Sequence, residues 1–236
     1  MCRVLVISTV PLLIRYMNLS PWMLPLVLVC LLALSFLLFR LSNRRQRLWK
    51  RLSQQLDLPC QFYGNGELSE RMLEYRIGCR GKFPAVTAEV FGQWRDMDIQ
   101  VFDYHFLKGK GKRLARHSQT LLYIRHPDLR FSPFSLLPRK LSDLPFLSQK
   151  EEITLPVRIK LQEHYYISTE NGDPASWMLD EEFHSLLEKE NYRLCIEGRP
   201  QALLIYTQNG VSDYEDILFL LNKGERLFDW FRRLSL

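Results

Sequence analysis

The stretch "MDIQVFDYHFLKGKGKRLARHSQTLLYIRH", residues 97–126, sets two apolar-rich runs around a loop made mostly of Gly, Lys and Arg. It predicts two antiparallel strands, MDIQVFDYHFL and SQTLLYIRH, joined by the hairpin loop KGKGKR. Along the first strand the apolar face changes midway, from Met97, Ile99 and Val101 to Phe102, Tyr104 and Phe106. A bulge does that, and so does burial on both faces. Upstream, AVTAEVF puts Val86, Ala88 and Val90 on one side. In LEYRIGCRGKF, Leu73, Tyr75, Ile77 and Cys79 alternate with Glu74, Arg76 and Gly78, the two-residue period of a half-buried strand, and Gly81-Lys82 reads as a turn. Four antiparallel strands linked by short turns are expected over this half.

Downstream, five prolines fall between Pro127 and Pro156, two of them framing PFSLLP. This predicts an extended, irregular connection that does not run through a central strand, and a candidate subdomain seam at 127–156. After it, EHYYIST reads as a strand. Asp173 with Pro174 starts one helix, and Asp180 caps another, EEFHSLLEK, with Phe183, Leu186 and Leu187 on its buried face. NYRLCIE and QALLIYT are strands joined by a turn at GRP. Tyr214, Ile217, Leu218, Leu221, Phe228, Phe231 and Leu234 keep helical spacing to the end. Gly224 interrupts them, which predicts a kink or a close contact. Strand runs without regular βαβ alternation give an α+β class: a mostly antiparallel sheet packed by short helices, one face covered by a long C-terminal helix.

The amino-terminal quarter has a different character. Residues 22–39, from Trp22 to Phe39, contain no charge. As a helix they extend for about 27 Å, close to the thickness of a bilayer's hydrocarbon core. Arg40, Arg44, Arg45, Arg47, Lys50 and Arg51 follow, against Arg3 and Arg15 before. The positive-inside bias makes these six a stop-transfer flank and places everything after them in the cytoplasm, with anionic lipid headgroups as a compatible contact. Nucleic acid is not the expected partner of the cluster, because no aromatic or groove-fitting platform accompanies it. A cleaved signal peptide fits poorly: the apolar run is too long and no small-x-small site follows it. Val29 before Cys30 is too bulky for a lipoprotein signal. A shorter run at 4–14 is broken by Pro11, and Met17 is an alternative start. Leu48, Trp49, Leu52 and Leu56 then predict an amphipathic helix, lying on the inner leaflet or pairing with a copy of itself, ended by Pro59. The expected organisation is thus 1–61, anchor and juxtamembrane helix, and 62–236, a cytoplasmic α+β domain.

Charge follows the same division. Residues 1–61 carry eight basic side chains against one acid; 62–140 carry 14 against eight, and 141–236 ten against 17. The high pI therefore belongs to the anchor, and the two halves of the domain have opposite signs that can attract each other or face different partners. Five cysteines are scattered without a CxxC pair, which suits a reducing compartment and signals neither disulfides nor zinc.

No catalytic constellation emerges. Asp103 and His105, two apart on one strand, share a face and form a candidate base pair, but no Gly-rich elbow is near and a structural pair is the plainer reading. His117, His126, His164 and His184 lack metal-ligand spacing, so no metal or cofactor is expected. Lys108, Lys110, Lys112, Arg113 and Arg116 lack a P-loop pattern and read as a solvated hairpin tip or a contact for headgroups or an acidic partner. Glu151/Glu152 and Asp180/Glu181/Glu182 are acid pairs, the latter at a helix start where negative charge suits the dipole. Tyr165, Tyr166 and Trp177 are core aromatics or the lining of an apolar pocket.

Two stretches carry a resemblance. FDYHFLKGKGKRLARHSQTLLYIRHPDLRFSPFSLLPRK has a Y-x-[FY] strand, a basic loop, a QT strand and PxFxLxP in order. The second stretch, from Glu151 to Tyr206, runs through YYISTENGD, a short helix and a hairpin ending in LLIY. Together they are similar to uncharacterised bacterial families of single-pass inner-membrane proteins with a cytoplasmic domain of unknown function, and they cover most of 70–207. The resemblance implies that architecture and no activity. The expectation is a non-enzymatic, membrane-anchored protein-interaction or assembly module, with membrane lipid and a protein partner or a second copy as partners. A tethered domain for a lipid or other apolar ligand is the alternative, and a hydrolase built on Asp103/His105 the remoter one.

Overall fold

The computed structural model describes residues 23–109, 113–139, 160–169, 180–188, 193–207 and 213–235. The helix expected at Asp173, Trp177, Glu151/Glu152, most of the proline-rich connection, the run at 4–14 and Met17 lie outside the described residues. The chain divides into two compact units, Met1–Arg47 and Leu48–Leu236. One helix, α1 (Met23–Leu56), belongs to both.

In the first unit α1 is a helix with no polar face over its apolar stretch. Leu26, Val27, Leu28, Val29, Leu31, Leu32 and Leu34 are each 44–63% exposed. The hydroxyl of Ser35 donates to the Leu32 carbonyl at 2.8 Å, so its one polar side chain there is satisfied within the helix.

The second unit is built on one eight-stranded antiparallel sheet, with strands β1 (Cys60–Gln61), β2 (Lys82–Trp94), β3 (Met97–Lys108), β4 (Ala115–Arg125), β5 (Phe134–Pro138), β6 (Tyr165–Thr169), β7 (Leu194–Arg199) and β8 (Ala202–Thr207). Their order is β1-β2-β3-β4-β8-β7-β5-β6. The β3–β4 hairpin read from the sequence pairs without interruption from Asp98↔Arg125 to Lys108↔Ala115. The change of face in β3 is therefore burial on both sides: Val101, Phe102, Asp103 and Tyr104 are all buried. The register irregularities lie opposite, in β2, between Lys82 and Ala85 and between Val86 and Ala88.

The first face of the sheet is covered by α1 from Leu48 onward, by α4 (Glu181–Glu188) and by the C-terminal helix α5 (Tyr214–Ser235); two shorter helices are α2 (Gly66–Arg71) and α3 (Lys160–His164). Phe183 of α4 stacks on Trp230 of α5 at 4.6 Å between ring centroids. Gly224 marks a close contact rather than a kink: a Cβ there would lie 2.2 Å from Leu122 Cδ2 of β4. Trp49 and Leu52 are fully buried, so the apolar stripe expected to rest on the leaflet or on another copy packs on the sheet instead. A strand surface already lined with Val90, Ile99 and Val101 offers it a drier partner than an interface does. The second compact unit accordingly takes in Leu48 onward. α1 stops one residue earlier than Pro59 demands, because Asp57 takes the left-handed conformation (φ 55°) and Leu58 N–H reaches back to the Ser53 carbonyl at 3.0 Å, a Schellman closure.

The second face is covered as well, where only one covered face was expected. Leu68, Met72, Tyr75 and Ile77 lie over Val86, Phe102, Tyr104 and Tyr206. The segment supplying them is not the strand predicted from its alternation; it forms α2 and two 3-10 turns, Met72–Glu74 and Arg76–Arg80. Of the alternating residues only Tyr75 and Ile77 are buried, Leu73 and Cys79 being exposed, and the N–H groups of Arg76 and Ile77 go to the Glu197 side chain instead of a neighbouring strand. The proline stretch brings the other correction. Phe134–Pro138 is a fully buried strand paired with both β6 and β7. Its prolines stand just before it and at its last position, where an absent N–H breaks no central rung. With β4 paired to β8, the sheet runs unbroken between the two charge halves, and most of the candidate seam at 127–156 lies outside the described residues.

Candidate functional site

Three polar constellations stand out in the second unit. The first is on the first face, where β3 runs past the end of the apolar core. Asp103 is buried, and its two carboxylate oxygens accept from Trp49 Nε1 (2.9 Å) and Thr120 Oγ1 (2.8 Å). The acid thus ties α1 to the hairpin. One rung on, His105 Nε2 lies 2.7 Å from Thr87 Oγ1 and Nδ1 lies 2.5 Å from Ser118 Oγ. A hydroxyl is within reach of an imidazole, the minimum a hydrolase needs. Ser118, however, is the fourth residue of a regular strand, not the tip of the sharp turn that presents a nucleophile. The rung reads as a cross-strand hydrogen-bond ladder over β2, β3 and β4.

The second constellation went unread in the sequence. Glu197, buried on the second face, accepts from Arg76 N–H (2.6 Å), Ile77 N–H (3.3 Å) and Tyr206 O–H (2.8 Å). The Arg80 guanidinium lies over the Tyr206 ring at 5.5 Å. Cys195, two residues before Glu197, is wholly enclosed; burial pushes its thiol up to about 12, against the pull of Arg80. Tyr206 is likewise raised well above its ordinary value by burial and by the Glu197 charge. A thiol held neutral there is no nucleophile near neutral pH, and the Glu197 oxygens are taken up by donors. The cluster acts as a latch, and two further ties reinforce it: Asn65 Nδ2 to the Glu89 carboxylate (3.2 Å) and Val86 N–H to Ser69 Oγ (3.1 Å). The available signal was an acid of the same parity as Cys195 inside an otherwise apolar strand, which needs an internal donor set.

The third is the basic end of the sheet. Lys108, Arg113 and Arg116 stand at the β3–β4 hairpin, Lys108 half-buried and the two arginines exposed; Lys110 and Lys112 lie outside the described residues. Of the stop-transfer cluster, Arg44, Arg47, Lys50 and Arg51 are exposed and Arg45 is half-buried. Arg51 stacks over the Tyr214 ring at 4.2 Å, fastening α1 to α5. Trp22 lies outside the described residues, and Phe39 and Arg40 are described as helical backbone only. Among the described residues no helix is long and apolar enough to cross a membrane; the described side chains of the uncharged stretch end at Ser35.

Other predicted residues make ring contacts or lie in the core. His117 stacks on Phe106 at 5.5 Å, His126 meets the Phe228 edge at 5.2 Å, and Tyr165 and Tyr166 are buried in the sheet. The Asp180 side chain accepts from Phe183 N–H at 2.9 Å, the cap expected of it. Among the described residues no three His, Cys, Asp or Glu converge as a metal site.

No protein-family model matches the chain, and no curated protein matches its sequence. Among solved structures, the crystal structure of the mycobacterial trehalose monomycolate transport factor A, TtfA, is similar, with a TM-score of 0.56 at 14% identity, over 80% of this chain and 93% of that one. At that identity the likeness concerns the fold, and it agrees with the α+β class.

Proposed function

We propose that the chain is a single-pass, membrane-anchored and non-enzymatic accessory protein of a bacterial inner membrane, whose cytoplasmic unit organises an assembly. One observation carries the reading: a helix that is apolar and exposed on all sides from Leu26 to Leu34 continues without a break into one that buries Trp49 and Leu52 in a folded sheet. An apolar stripe seven residues long or more without a polar face needs a non-aqueous surrounding. The sheet, in contrast, is covered on both faces by its own chain, and its buried acids are consumed as internal ties. What remains for a partner is the rim. The test is crosslinking and affinity capture of the full chain from native membranes, with quantitative mass spectrometry. The reading expects one reproducible membrane-associated partner, crosslinked at the edges or ends of the sheet. Crosslinks confined to the chain itself, in repeated captures, count against it.

A second reading is favoured by the fold neighbour, which is named as a transport factor for trehalose monomycolate. Under it the unit serves lipid transport, binding a lipid or other apolar ligand. Lipid copurification with the full chain, lost on unfolding, supports this variant.

A further inference from the structure

β2 is 13 residues long, yet among the described residues only the two-residue β1 lies along its outer side, pairing Cys60 with Val90 and Gln61 with Glu89. An edge left bare over the remaining length is a template for another chain, because its row of N–H and C=O groups awaits partners. Here the row is interrupted. The N–H of Val86 donates to a side chain rather than a strand, reaching Ser69 Oγ at 3.1 Å. The segment that carries this serine runs alongside: a Cβ on Gly64 would lie 4.0 Å from the Val86 carbonyl oxygen, and Asn65 Nδ2 donates to the Glu89 carboxylate at 3.2 Å. Two residues before Val86 stands Pro84, which has no N–H to offer.

The backbone of the same stretch is also bent out of register. The β2–β3 pairing shifts between Lys82 and Ala85 and again between Val86 and Ala88. Phe83 takes the left-handed conformation, φ 56°, within the first shift. Such irregularities twist a strand and leave residues out of the ladder, so an incoming strand meets no continuous row of partners. Lys82, exposed at the start of the strand, adds a charge that pairing would have to desolvate. A proline, a lysine, two shifts, a short cover strand and a serine that takes a backbone donor thus coincide on one edge. We propose that the 82–88 edge is built to refuse strand addition by a second copy of this chain, so that self-association does not run through it. The inference concerns the second unit alone and stands apart from the anchored reading. It limits any partner to contacts other than a strand added at β2.

The test compares the full wild-type chain with Pro84→Val and with Ser69→Ala/Pro84→Val. Each is held in detergent micelles over a range of protein concentration, with sedimentation reading the mass and hydrogen exchange reading the location. The double variant restores one edge N–H and frees another. Its protein mass rises toward twice that of the wild-type chain as concentration increases, and exchange over 82–88 slows in step. Pro84→Val keeps the Ser69 tie and shows the same trend more weakly. Pro84 is only half-buried on an edge strand, so this single variant keeps the fold and decides the matter alone if the double variant unfolds. In the wild-type chain exchange over 82–88 does not vary with concentration. If Ser69 and Pro84 serve only to fasten and shape the unit, both variants keep the wild-type mass and exchange faster over 65–88 at every concentration, and the proposal is overturned. Wild-type protection over 82–88 that grows with concentration also overturns it, since the edge then already pairs.

Discussion

Glu197 takes two backbone N–H groups and a phenol out of water with a single side chain, and so decides whether the 65–80 segment stays on the second face. Replacing it with Gln turns an amide N–H₂ toward donors that need an acceptor. We expect E197Q to lower unfolding free energy by about 2 kcal/mol, the penalty of unmet buried donors, and to speed amide exchange over 72–80. An unchanged urea midpoint contradicts the latch. Its neighbour Cys195 gives a second test. Because burial holds its thiol near 12, a maleimide at neutral pH labels exposed Cys79 in the folded chain and reaches Cys195 only in denaturant. The same burial has a stability consequence. Cys195 and Tyr104, each raised to about 12 from ordinary values of 9.0 and 10.0, keep their protons longer folded than unfolded. The folded state then binds more protons, and stability falls as pH rises from about 9 toward 12. A melting temperature that stays level from pH 8 to pH 11 goes against this.

At the level of elements, α5 seats on β4 at a position that admits no side chain. Gly224→Ala raises helix propensity by roughly 1 kcal/mol, yet its methyl would meet Leu122, which is itself enclosed. Overpacking prevails, and we expect a net loss of about 1–2 kcal/mol in unfolding free energy; a more stable variant shows that the helix sits farther off. The elements that were legible in the sequence carry local signals: the hairpin at KGKGKR, the Asp180 cap, the helical spacing from Tyr214. Those misread depend on distant partners. Tyr75 and Ile77 alternate as in a strand, and only the Glu197 carboxylate, over a hundred residues away, turns them into 3-10 turns. PFSLLP was read as a connection because its prolines punctuate, though both sit where a strand tolerates them. Trp49 and Leu52 form an amphipathic stripe whichever apolar surface awaits them, and the sequence does not say that the surface is their own sheet. For the candidate site, the basic hairpin was legible as charge, whereas the Glu197 cluster was silent because its donors at Arg76 and Ile77 lie over a hundred residues away in the chain.

For the whole molecule, an apolar, exposed helix runs into a sheet whose two faces are self-covered, and the proposed function sets that helix in a bilayer. On the proposed reading, the positive-inside bias of the six cations from Arg40 to Arg51 puts the sheet on the cytoplasmic side. The most direct measurement fuses alkaline phosphatase, active only outside the cytoplasm, or green fluorescent protein, fluorescent within it, to the carboxyl end of the full chain. We expect membrane-bound fluorescence that alkaline carbonate does not release, and no phosphatase activity. Phosphatase activity in intact cells would reverse the orientation, and fluorescence released by carbonate would remove the anchor.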